Sequence, residues 1–98
     1  MRFELSRLGG VGGISRPPVV VDTMTLAPGE TTRLQDLVAR AGFFALPAEL
    51  GHAAPDAAGY ELHVVADDGR EHTVSFDHDG APPLLRELVS AVRAAARA

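Results

Sequence analysis

Polar and apolar residues alternate from the first position, with Met1, Phe3 and Leu5 on one side and Arg2, Glu4 and Ser6 on the other. A period of two predicts a strand with one buried face. Four glycines in the five residues Gly9–Gly13 then end any regular element. The chain resumes at Ile14 and passes through Pro17-Pro18 into Val19-Val20-Val21. Proline has no ladder donor, so this second strand begins after the prolines or lies at a sheet edge. Pro28 predicts a helix start, because its missing N–H is no loss at the first helical position. Glu30 in the first turn suits the helix dipole. Leu34, Leu37, Val38 and Ala41 make one helical stripe, and Gly42 is the expected stop.

From Phe43 to Gly59 no period holds. Phe43, Phe44, Leu46 and Leu50 read as plugs for the edge of the core. Tyr60 to Ala66 and Arg70 to Phe76 form the clearest strand pair. A three-residue loop Asp67-Asp68-Gly69, with Gly69 left-handed, pairs Ala66 with Arg70. It follows that Val64 faces His72, Leu62 faces Val74 and Tyr60 faces Phe76, which gathers the apolar side chains on one face. A two-residue Asp68-Gly69 turn would set Leu62 against Ser75 and is rejected. The last segment predicts a second helix, with Asp79 as a candidate cap, Pro82-Pro83 at its entry and a stripe of Leu85, Leu88, Val89, Val92 and Ala96.

The order is strand, strand, helix, twice over. The expected fold is therefore α+β: a four-stranded antiparallel sheet, order ββαββα, with two helices on one face. Arg2, Glu4, Glu61, His63, Thr73 and Ser75 mark the other face as wet. Ninety-eight residues make one domain, 1–98, with one modest core and no large enzyme cleft. An apolar share of 46% against 22% charged excludes disorder by composition.

The net charge of −4 opposes nucleic-acid binding and docking on anionic membranes, which need a basic surface. All nine basic residues are Arg, a usage from which no function is drawn. With no cysteine, a disulfide framework, a thiol nucleophile and a Cys-ligated zinc are excluded. No signal-peptide run and no membrane-length apolar stretch occurs, so the expected location is cytoplasmic.

Candidate chemistry is sparse. His52, His63, His72 and His78 include no pair at the i, i+4 spacing of zinc proteases. His63 and His72 fall on opposite sheet faces and cannot share an ion. Asp67, Asp68, Asp77 and Asp79 lack the ligand spacing of a calcium loop and suit turn and cap duty. Ser75 near His63 and Glu61 is the nearest approach to a triad, and such neighbours are ordinary on a wet sheet face. No metal, cofactor or catalytic residue is expected. Gly10-Val11-Gly12-Gly13 lacks dinucleotide spacing and leads into no helix. It does carry Leu8, Val11 and Ile14 on a backbone with almost no bulk. Such aliphatics are either folded back on the sheet or held out for a partner.

Met1-Arg2-Phe3-Glu4-Leu5-Ser6-Arg7, Gly9-Gly10, Arg16-Pro17-Pro18 with Val21-Asp22-Thr23, and Gly42-Phe43-Phe44-Ala45-Leu46-Pro47 together resemble the emfourin family. So do Tyr60-Glu61-Leu62, His72-Thr73-Val74 and Pro82-Pro83-Leu84, so that the likeness covers nearly the whole chain. It implies a protein inhibitor of thermolysin-like, protealysin-type zinc metallopeptidases, not an enzyme, with the zinc belonging to the partner. A peptidase of this type encoded nearby is the expected partner. Under this resemblance the 8–16 loop becomes the candidate protrusion for the peptidase cleft, through Leu8, Gly10, Val11, Gly12 and Ile14. A standard inhibitor interface buries roughly 1,600 Å² in total, more than one loop supplies. The candidates for a second contact are the Asp22–Leu26 connection, through Asp22 and Met24, or the Asp67–Gly69 turn, through Asp68. The competing readings are a non-inhibitory interaction module or adaptor, whose apolar loop is an oligomer contact, and a small hydrolase on the wet sheet face.

Overall fold

The computed structural model describes residues 1–8, 18–50, 59–77 and 81–97. Its strands are β1 (Arg2–Leu8), β2 (Val19–Asp22), β3 (Glu49–Leu50), β4 (Gly59–Val65) and β5 (Glu71–Asp77). Its helices are α1 (Pro28–Ala41) and α2 (Pro83–Arg97). The sheet order is β2-β1-β4-β5-β3, antiparallel throughout except that β3 runs parallel to β5. The α+β class and the ββαββα frame hold, while the expected four antiparallel strands become five in a mixed sheet. The addition is only two residues long, too short for a period to show in the sequence. It pairs Glu49 with Ser75 and Leu50 with Phe76, and the Ser75 N–H donates to the Ala48 carbonyl at 2.7 Å.

The hairpin between β4 and β5 has the expected register, with Tyr60 opposite Phe76, Leu62 opposite Val74 and Val64 opposite His72. Gly69 sits at φ 91°, and the Ala66 N–H bonds the Arg70 carbonyl at 2.7 Å, closing the three-residue loop. β1 runs three residues past Leu5, further than its alternation showed, because β4 continues beside it to Gly59. As expected from Pro17-Pro18, β2 is a sheet edge and starts at Val19.

Phe3, Leu5, Leu62, Val64, Val74 and Phe76 turn to one face and are buried under both helices. Leu34, Leu37 and Val38 of α1 and Leu85, Leu88, Val89 and Val92 of α2 close the core over them. The α2 stripe departs from expectation at its end, where Ala91 and Ala95 are buried and Ala96 is exposed. Ala95 lies seven positions after Leu88, nearly two whole turns, and four after Ala91, whereas Ala96 is carried about 100° further round from that line. Gly42 ends α1 at φ 60°, and Phe43 after it is wholly buried in a short 3-10 turn, Phe43–Ala45.

Candidate functional site

The sheet has two distinct ends, and strand register assigns the described candidate residues to one or the other. At the first end Arg2 pairs with both Asp22 and Val65. Here the Met1 ammonium donates to Thr23 Oγ1 at 2.9 Å and pairs with the Asp67 carboxylate. Thr23 is buried, and its hydroxyl donates back to the Met1 carbonyl at 3.0 Å. These contacts draw the 3-10 turn Thr23–Thr25 and the Asp67–Gly69 turn together.

Asp22, Met24 and Asp68 all belong to this end. The Asp22 carboxylate accepts the Met24 N–H at 3.0 Å and so caps the 3-10 turn. Met24 is 89% exposed, the most open large apolar side chain among the described residues. Asp68 accepts the Arg70 backbone N–H at 3.0 Å and its Nε at 2.8 Å. The backbone N–H of Arg70 foremost, with its guanidinium, holds the Asp68 carboxyl below the usual carboxylate range.

At the second end Leu8 pairs with Gly59 and Gly59 with Asp77. Leu8 lies six strand positions beyond Arg2, about 20 Å at the rise of an extended chain. The 9–17 connection is anchored here, between Leu8 and Pro18, on two neighbouring antiparallel strands that last pair at Leu5 and Val19. Gly10, Val11, Gly12 and Ile14 lie outside the described residues, as does the side chain of Leu8. Asp79, His52 and His78 lie outside them too.

The expected loop and its candidate secondary contacts thus attach to opposite ends of the sheet. What stands beside the loop's anchors is a different group. The Tyr60 ring stacks on Phe76 with centroids 5.8 Å apart, and the Arg93 guanidinium lies 5.0 Å from the Tyr60 centroid. Exposed Arg7 is the cross-strand neighbour of Tyr60. The register of β1 against β4 was beyond the sequence, and so was the meeting of Arg93 with Tyr60 across 33 positions.

The wet sheet face does not assemble a triad. Ser75 stands opposite Glu61, but the His63 Nδ1 bonds the Thr73 hydroxyl at 2.6 Å instead. His72, on the helix side, bonds the Leu46 carbonyl. Among the described residues no three His, Cys, Asp or Glu side chains group as metal ligands, and no helix is long and apolar enough to cross a membrane. A shallow hollow of about 420 Å³ lies between the end of α1 and Phe43, Phe44 and Arg70, away from both the wet face and the loop anchors.

Comparison with known families decides among these readings. The emfourin family model matches residues 5–93, which include both anchors of the 9–17 connection. The chain belongs to the emfourin family. Emfourins are protein inhibitors of protealysin-like metallopeptidases and are not enzymes, and the family carries with it a thermolysin-like peptidase as partner. No curated protein and no solved structure matches the chain.

Proposed function

We propose that this emfourin inhibits its peptidase by inserting the glycine-rich 9–17 segment into the active-site cleft. The observation that carries the reading is the pair of anchors: a short connection springs from two adjacent strands of a five-stranded, helix-backed sheet. A slim segment on a stiff base loses less freedom on binding than a free peptide, and so less affinity. Glycines 10 and 12 allow close backbone approach to a narrow cleft. Val11 and Ile14 fill or cover its apolar pocket, with Leu8 at the stem. The zinc is the peptidase's own.

The supporting contact comes from groups at the same end of the sheet. Arg7, Tyr60 and Arg93 flank the anchors, and Tyr and Arg are the residue types that most often carry interface energy. Asp22, Met24 and Asp68, about 20 Å along the strands, form the competing choice for this second contact. The protein acts in the cytoplasm, and its peptidase is encoded near it.

Hydrogen exchange on the complex with a protealysin-type peptidase tests the footprint. Slowed exchange is expected in 8–18 and at Gly59–Glu61, with Met24 and Asp68 unchanged. Protection centred on Met24 and Asp68 would overturn the assignment of the binding end.

A further inference from the structure

The outer side of β2 has a hydrogen-bonding pattern that complements itself. In the β1–β2 ladder the odd residues bond inward, as the Thr23 N–H to Met1 carbonyl bond at 2.9 Å shows for the parity. The N–H and C=O groups of Val20 and Asp22 therefore point away from β1. By the same alternation the Pro18 carbonyl does too. β2 ends the strand order, so among the described residues no strand pairs with this side.

Edge strands are normally blunted by prolines, charges or shortness. Here the blunting residues are Pro18 and Asp22, and one register accommodates both. Set two copies of β2 antiparallel with Val20 opposite Val20 of the second copy. The two Val20 residues then exchange two hydrogen bonds, and each Asp22 N–H donates to a Pro18 carbonyl across the seam. The donor that Pro18 lacks would have met the Asp22 carbonyl, which already accepts the Thr25 hydroxyl at 2.8 Å. No donor or acceptor in the seam is left over.

Side chains fit the same register. Val20 is 46% exposed on the open face and meets its own copy, an apolar β-branched pair favourable across strands. Asp22 meets Pro18, not a second Asp22. The two Glu4 residues stand three strand spacings apart, about 14 Å. No like charges face each other.

We infer that the β2 edge is a self-association surface, through which two copies join their sheets into one of ten strands about a two-fold axis at Val20. Self-complementarity is what selects a second copy over an unrelated strand. The seam is short, so the dimer is weak and governed by concentration. It goes beyond the inhibitory reading and uses none of the 9–17 segment.

Sedimentation equilibrium tests it on the full chain. The weight-average mass should rise from 10.3 kDa toward twice that value as concentration increases roughly a hundredfold. A mass that stays at 10.3 kDa throughout overturns the inference. Val20→Pro removes an outward donor and no bond to β1, and should hold the protein at monomer mass. Val20→Lys places like charges on the axis and should do the same without touching the backbone. Persistence of the dimer in both overturns the inference. The chain has no cysteine, so Val20→Cys supplies a single thiol. Paired Cα atoms about 5.5 Å apart suit a disulfide, and mild oxidation should yield a covalent dimer. Glu4→Cys, one strand in on the same face, should not. Equal cross-linking of the two would contradict the register.

Discussion

The Nε2 of His72 lies 2.7 Å from the carbonyl oxygen of Leu46, 26 positions earlier in the chain. A carbonyl only accepts, so this nitrogen carries the proton. The ring also stands edge-on to buried Phe43, with centroids 5.7 Å apart. His72 thus fastens β5 to the connection that follows α1, beside the parallel pairing of β3. His72→Phe keeps a ring against Phe43 and leaves the Leu46 carbonyl without its donor. It should lower stability by about 1 kcal/mol, the net worth of one hydrogen bond. Urea unfolding measures this, and an unchanged midpoint would show that the bond contributes nothing.

Two glycines around α1 should respond to alanine with opposite signs. Gly42 has φ 60°, and a Cβ there meets no atom within 4 Å, so the cost of Gly42→Ala is backbone strain alone, about 1 kcal/mol. Gly29 lies in the first turn of the helix with open space around it and no positive φ. Gly29→Ala should stabilise by about 0.5 kcal/mol by restricting the unfolded chain. Thermal melts of the two variants on either side of the parent would bear this out. Melts displaced in the same direction would refute it.

Asp68 should contribute to the acid limb of stability. Its hydrogen bonds to Arg70 set the folded-state pKa below the unfolded value, so the folded protein binds fewer protons there. The contribution is present above the ordinary carboxylate range and is lost as pH falls through the depressed folded value. The pair is exposed, so solvent screening keeps the effect small. Asp68→Asn should flatten the pH dependence of unfolding in that acidic range and leave it unchanged at neutral pH. An identical slope in parent and variant would count against the pairing.

Much of the fold was legible because local rules suffice for its elements. Period two located β1, β4 and β5. Gly69 set the hairpin register, and Pro28 with Gly42 bracketed α1. β3 was not legible, since two residues carry no period and a parallel partner 26 positions away leaves no local mark. Ala95 was missed for Ala96 because a stripe of alanines has no apolar edge to read. At the candidate site the family likeness singled out the segment, but its placement depends on which strands neighbour each other. Only the pairing of Leu8 with Gly59 and of Arg2 with Val65 separates the two ends. That separation is the ground for proposing the supporting contact at Arg7, Tyr60 and Arg93 in place of Asp22, Met24 and Asp68.

The proposed inhibitory role of the 9–17 segment is tested most directly by measuring the inhibition constant of Val11→Asp/Ile14→Asp against a protealysin-type peptidase, alongside its thermal melt. Two charges introduced into an apolar pocket should weaken inhibition by at least about 100-fold, the scale of interface hot spots, while the melt stays at the parental temperature. Inhibition at parental strength by a folded double variant would show that the cleft is blocked by some other part of the molecule.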